Sequence, residues 1–552
     1  MNYARIMAVA SIGILAAIAP HTVRATPGMV LTVGPGGSQP TIQAAINAAL
    51  GSLGSSPIEI RVAAGTYREN ITVPPAMNQG QVIVSGGWNS DFTVRDLDPS
   101  LTSIDGSAQD RVFNISPAGG ELTIDGFAIT NGRVNGFGGG LSVEPTGASR
   151  VTISNNLILG NVSVGQSPST ASGGGIWAYL KDTSRVLVSD NIIIENRSDG
   201  GTDTEAYGGG MRVVVDQQAL VTIRHNRIEA NDCVGTGCIA AGIYVATNAG
   251  GSGEVSDNLV RGNETSDTPT SGAAAALWMT GTGRITARRN MWVDNVINFP
   301  AEDLSLIAAD SATLLITDSV VAGARSFGVL AEARGGSSIY LTNMTVADNQ
   351  NRGLFFRKDS DDTGTTTLYN SIVFNNGNNT DLTGVTAGNN LVNVDPHFVD
   401  SARRDYTLLP LSPVINAGNN APPGALGPSD VFGHARVASG TVDIGAVEVG
   451  EPDFLLSFDE SSVSVTRGKK VKVSVSIIRT GSFDGSVTIT PPDLSAIGVK
   501  SKPPGPRTTN TSSVKFTLKV KRAGVTGTHI MTFTGRDESG RERAVTVVLK
   551  IQ

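Results

Sequence analysis

The chain has 552 residues and a net charge of −7, long enough for two folding units or one extended solenoid. Charged residues make up only 16% and glycines number 66, a balance that argues against a helical bundle or a disordered chain and favours stacked β-structure. The charge is uneven: from Asp453 onward there are 16 Lys and Arg against 8 Asp and Glu, which leaves −15 on everything before. Such an acidic body disfavours nucleic acid as a partner, because phosphate binding needs a basic face.

Residues 1–25 carry an early Arg, the apolar run Met7–Ala19 and the small-residue site Val23-Arg24-Ala25, which predicts a signal peptide. The run is too short to span a bilayer comfortably, and no later segment is long or apolar enough, so the mature chain is expected without a transmembrane segment. The expected location is secreted, extracellular or at the cell surface, with the periplasm as a variant; an uncleaved membrane anchor is the alternative.

Residues 26–120 are expected to hold an N-terminal cap and the first coils of a solenoid. TIQAAINAAL (Thr41–Leu50) places Ile42, Ala45, Ile46 and Ala49 on one helical face, suited to covering a strand edge. It leads into the strand, turn and strand of Ile58–Val73.

The decisive pattern lies in residues 121–450. VTISNNLILGN (Val151–Asn161), VLVSDNIIIEN (Val186–Asn196) and VTIRHNRIEAN (Val221–Asn231) repeat at a spacing of 35 residues, and looser copies continue to Asn376. Each copy is a short alternating strand, a polar turn pair and a second short strand. A preceding motif, GGGLSV at Gly138, GGGIWA at Gly173, GGGMRV at Gly208 and their relatives, supplies a third strand. Three strands in 25 to 35 residues are one coil of a parallel β-helix. The Asn that ends the second strand, at Asn131, Asn161, Asn196, Asn231, Asn263, Asn295, Asn349 and Asn376, is read as a structural ladder of side-chain amides, broken only at Ala324.

TIQAAINAAL followed by RVAAGTYREN resembles the start of pectin-lyase-like β-helix proteins. GGWNSDFTVRDLDPSLTSIDG, DPHFVD, DYTLLPLSPVINAG and VDIGAVE resemble bacterial exported proteins of the choice-of-anchor Q group. The resemblance covers about Thr32 to Val449 and implies a right-handed single-stranded parallel β-helix, a group to which no single reaction is attached.

Residues 453–552 hold about seven alternating runs, among them KVKVSVSII and SVKFTLKV, separated by turn signals. They predict an Ig-like β-sandwich after Gly450-Glu451-Pro452, making the chain all-β. Its role is expected to be spacing or attachment, its positive charge attracting an acidic envelope polymer.

Chemistry is expected on the third-strand sheet. If Leu141, Ile176, Met211, Ile243, Leu277 and Leu354 point inward, the outward column is Ser142, Trp177, Arg212, Tyr244, Trp278 and Phe355. A second outward column includes Glu144, Tyr179, Thr280, Glu332 and Arg357. Trp177, Tyr179, Arg212, Tyr244 and Trp278 are the candidate polysaccharide-binding residues, since ring faces stack on pyranoses and Arg pairs with uronates. The competing reading is that loops or the tail bury them. Asp199, Asp203 and Glu205 beside Arg212 form a candidate calcium site with Arg212 as the catalytic group of a lyase, against the plainer reading of a solvated acidic loop. Cys233 and Cys238 are expected to close a small disulfide, with free thiols or a weak metal site as the alternative. The functional expectation is a monomeric glycan-binding protein, catalytic as a lyase or glycoside hydrolase or not; the rival is a surface or adhesin-type protein with the solenoid as spacer.

Overall fold

The computed structural model describes residues 27–552 apart from 78–79, 167–168, 203, 236, 249, 266–273, 298–301, 309–310, 358–362, 379–381, 410–411, 439, 450–452, 459, 481–482 and 484. The expected signal peptide and the linker Gly450-Glu451-Pro452 lie outside the described residues.

Three parallel sheets run the length of a β-helix. Sheet A has thirteen strands, among them Arg150–Ser154, Arg185–Ser189 and Leu220–Arg224. Sheet B has twelve short strands, among them Leu157–Leu159, Ile192–Ile194 and Arg227–Glu229. Sheet C has ten, among them Leu141–Val143, Ile176–Leu180, Met211–Val215 and Ile243–Thr247. Every strand pairs with its equivalent one coil away, so the strand period of two sends one side-chain set into a continuous core. In sheet C that set is Leu141, Ile176, Met211, Ile243, Leu277, Val329 and Leu354, all essentially inaccessible. The GGG motif has a backbone cause: Gly173 and Gly208 have φ of +61° and +58°, and a Cβ on Gly174 would stand 2.5 Å from the Gly209 carbonyl oxygen.

The N-terminal edge is covered by the helix Ile42–Leu50, which buries Ile42, Ala45, Ile46 and Ala49. Thr41 caps it by accepting from the Ala44 N–H, and the Glu69 carboxylate accepts from Ile42 N–H and Gln43 N–H at 2.9 Å each. No described helix is long and apolar enough to cross a membrane.

The asparagine ladder runs through Asn161, Asn196, Asn231, Asn263 and Asn295; from Asn196 onward each Oδ1 accepts from the backbone N–H and the Nδ2 of the asparagine one coil earlier at 2.9–3.0 Å. It resumes when Asn349 caps the Ala324 N–H and Asn376 caps Asn349. Asn131 is not a rung: it is exposed, has φ of +54° and occupies the left-handed corner equivalent to Gly160, while Gly132 stands on the ladder and donates to Asn161 Oδ1. A second ladder flanks the other end of the sheet B strands. Asn156, Asn191, Asn226, Asn258 and Asn290 cap one another across successive coils, and Ser319 continues them. The polar pairs read as turns thus divide their labour: Asn155, Asp190, His225 and Asp257 take positive φ at the corner, and the asparagine that follows each is buried and hydrogen-bonded.

One sheet C strand that the repeat motifs do not show, Glu302–Ala308, lies between Ala274–Gly281 and Phe327–Ala333 and belongs to the coil that continues through Thr313–Thr317. Side strands extend the middle coils. Arg133–Asn135, Val162–Val164 and Arg197–Asp199 begin a six-stranded sheet, and Ala171–Ser172, Glu205–Tyr207 and Gly237–Ile239 form a three-stranded one.

Residues 453–552 form a β-sandwich of a four-stranded and a five-stranded sheet around Phe454, Phe516, Phe533, Leu518 and Val547. It lies against the flank of the solenoid. Leu455, with Ile478 beside it, packs with Tyr406, Val431, Met291 and Val293, while Ile530 meets Leu157, Ile192 and Ile194. Arg227 donates to the carbonyls of Thr546 and Ser461, and Lys550 pairs with Glu195. The joint is clamped by charge: His434 bridges Asp430 and Asp453 at 3.1 Å each, and Arg541 and Arg543 also reach Asp453.

Candidate functional site

Register places Ser142, Trp177, Arg212, Tyr244, Trp278, Leu330 and Phe355 in one outward column of sheet C. Leu330 comes from a coil that the sequence column omits. The column is not uniformly open. Trp177 is only 8% exposed, because Phe137 from the preceding coil stacks on it at 5.0 Å, so it is no free platform for a sugar. Arg212, Tyr244 and Trp278 are half-buried. Farther along, Phe355 is stacked with Phe327 at 6.1 Å.

Arg212 is the centre of the strip. The strand Glu205–Tyr207 brings Tyr207 over its guanidinium at 4.1 Å, and Tyr244 of the next coil lies 5.1 Å from it. Its Nη1 donates to Ser172 Oγ at 2.6 Å, whereas its Nε is buried without a hydrogen-bond partner. Burial holds this guanidinium below its ordinary pKa and raises the Tyr244 phenol. Tyr207 is raised by burial and by its hydrogen bond to Glu205. No ion pair to Arg212 forms among the described residues. A guanidinium keeps its proton at neutral pH, so this is a desolvated cation whose buried Nε–H is unused, an arrangement suited to an anion.

Of the described acidic-loop residues, Glu205 acts on the guanidinium through its charge without an ion pair, and Asp199 turns away to Arg197. Asp199 is paired with Arg197 at 3.0 Å and accepts from Gly201 N–H, and the Glu205 carboxylate accepts from the Tyr207 hydroxyl. Asp203 lies outside the described residues. Among the described residues, which leave out Asp203, no group of three His, Cys, Asp or Glu is placed to hold a metal. In the second column, Tyr179 donates to Asp216 at 2.5 Å, Glu144 accepts from Ser142 at 3.4 Å, and the buried Glu332 pairs with Arg334 and Arg357. Thr280 is half-buried on this column.

Cys233 and Cys238 are joined in a disulfide with a Cα separation of 5.8 Å. Both pack with Ala171, Ala206 and Ala241, beneath the strands that carry Ser172 and Tyr207. The disulfide therefore braces the wall that encloses Arg212.

Sequence reasoning missed a second recess, a cleft of about 360 Å³ between sheet A and the closing segment. Arg224, His225, Glu254, Asp257, Arg289 and Phe432 line it. Asp257 is held bidentately by Arg289, and His225 sits 3.7 Å from both Asp190 and Asp257. The corner column of turn residues signals half of this site; the other half depends on where residues 429–433 fold, which no local pattern encodes.

Stacked parallel coils with side-chain ladders define a repeat-built β-helix protein, and comparison agrees on that class. Residues 114–291 match the family model described as a right handed beta helix region. No curated protein matches the chain. Among solved structures, domains 4 and 5 of the S-layer protein SbsC are similar at 21% identity over 18% of this chain and 54% of that one, with a TM-score of 0.14. The match thus spans about half the length of that structure, a likeness too slight to bear on the role of this chain.

Proposed function

We propose that the chain is an exported binding protein that holds an acidic polysaccharide against sheet C, without cleaving it, at Arg212, Tyr244 and Trp278. The observation that carries this reading is Arg212: a half-buried cation between two phenol rings, with an orphaned buried Nε and no ion-pair partner among the described residues. A uronate carboxylate would satisfy it, and the half-buried indole of Trp278, one coil beyond Tyr244, would receive a neighbouring sugar face. Binding is favoured over cleavage because, among the described residues, Glu205 accepts from the Tyr207 hydroxyl and Asp199 pairs with Arg197.

The test is affinity electrophoresis and calorimetry on polygalacturonate and neutral dextran, with and without calcium, while unsaturated product and reducing ends are followed. Retention on polygalacturonate without product is expected. Arg212→Ala should weaken it by about tenfold to a hundredfold, the loss of a charge-assisted contact. Trp278→Ala should weaken it by several-fold. Calcium-dependent product lost in Arg212→Ala would replace this reading with a lyase. Failure to bind any glycan would leave the spacer reading, which the tail docked along the solenoid favours.

A further inference from the structure

The structure also shows where the positive charge of the tail is put. In the four-stranded sheet, alternation sends Val473, Val475, Val499, Phe516 and Leu518 into the sandwich core. The opposite face presents Lys470, Lys472, Lys500, Lys502, Lys515 and Lys519, all exposed. Register sets like charges side by side: Lys519 pairs with Lys470 on one neighbouring strand and with Lys500 on the other. Two residues along, Lys472 and Lys502 flank Thr517, and Lys515 pairs with Ser474. With strands about 4.8 Å apart, three ammonium-bearing stems stand in one row.

Directly opposed like charges destabilise a sheet. None of the six lysines makes an ion pair among the described residues; Lys550, which does, is on the other sheet. The apolar corner of the same outward surface, Leu455 and Ile478, is used up against the closing segment, so the docked tail leaves the lysine rows facing solvent.

We propose that this lysine face is a second docking surface, for the backbone of a linear acidic polysaccharide. Its chemistry is that of flexible point charges on a flat support, which follow a row of carboxylates without demanding one geometry. Between the lysines stand Ser474, Ser476 and Thr517. Among the described residues, the lysine rows hold no ring for stacking bases of a single strand and no apolar side chain to enter a bilayer. The proposal does not depend on Arg212, since the two surfaces share no residue.

The test uses the full chain in an Arg212→Ala/Trp278→Ala background, so that failure of one surface is separated from failure of the other. Binding to immobilised sodium polygalacturonate is measured from low salt to about 0.5 M, where surface charges are screened. Binding that persists at low salt and falls steeply with salt is expected. Adding Lys472→Gln, Lys500→Gln and Lys519→Gln should weaken it at least tenfold and flatten the salt dependence, with a melting temperature unchanged or raised by the relief of repulsion. Equal binding by the triple variant would overturn the proposal. So would tighter lysine-dependent binding to duplex DNA or to phosphatidylglycerol vesicles, or lysine-dependent dimerisation, which would make the acidic solenoid of a second copy the occupant.

Discussion

Replacing Asn196 by Ala removes one rung from the middle of the ladder. The side chain is inaccessible, its Oδ1 accepts from the Asn161 N–H at 3.0 Å, and its Nδ2 donates to the carbonyls of Ile158 and Ile194 and to Asn231 Oδ1. The substitution strands the Asn161 N–H and takes a donor from the Ile158 carbonyl, in a place water does not reach. At about 1–3 kcal/mol for each buried group left unsatisfied, the cost is roughly 3 kcal/mol or more. Asn196→Ser should cost less, because Ser319 fills the equivalent place in the other ladder by accepting from Asn290 N–H and donating to the Thr317 carbonyl. Asn131→Gly should be close to neutral, since that corner needs a positive φ, which glycine supplies, and loses only an exposed hydrogen bond to Asp105 Oδ1. Because a solenoid can open coil by coil, the assay is amide hydrogen exchange resolved by coil, with thermal melting beside it. The reasoning fails if Asn196→Ala leaves exchange of the Val151–Asn231 coils as slow as Asn131→Gly does.

Hydrogen bonds and charges of Asp430 and Asp453 outweigh the desolvation of His434 and raise its pKa to about 9. The raised value stabilises the joint fully below the ordinary histidine range, and this contribution is lost as pH rises through about 9; Asp453, held low, loses its share only in strong acid. Hydrogen exchange at the interface around Leu455 should therefore accelerate above pH 9, and His434→Gln should abolish that step. Arg436, buried against Asp318 at 2.8 Å, fastens the closing segment to sheet A, so Arg436→Ala should cost about 3–5 kcal/mol in chemical denaturation by stranding a buried carboxylate. Reducing the Cys233–Cys238 disulfide closes no long loop and should cost about 2 kcal/mol. Its sharper effect should be local: binding at Arg212 weakens under reductant while the melting of the tail is unchanged.

The 35-residue spacing made the coil legible, because stacking demands the same residue at the same place in each turn, as at Asn161, Asn196 and Asn231. Asn131 was misplaced by one residue because two physical demands favour the same amino acid. An amide rung wants asparagine for its donors and acceptor, and a left-handed corner tolerates it for its backbone. The second ladder was written in the same strings and read as turns for the same reason. The column of sheet C was legible in direction but not in exposure: that Phe137 covers Trp177 depends on a loop of the preceding coil. The docking of Leu455 on Tyr406 and Val431 joins distant segments through shape, which periodicity does not carry.

The ladders also have a direction. Each asparagine reaches back to complete the backbone of the coil before it, so no coil is finished until its successor arrives. A chain emerging from its N-terminus would assemble like masonry in which every course is locked by the one laid above it, and its newest edge would remain the weak one until residues 395–449 close the stack.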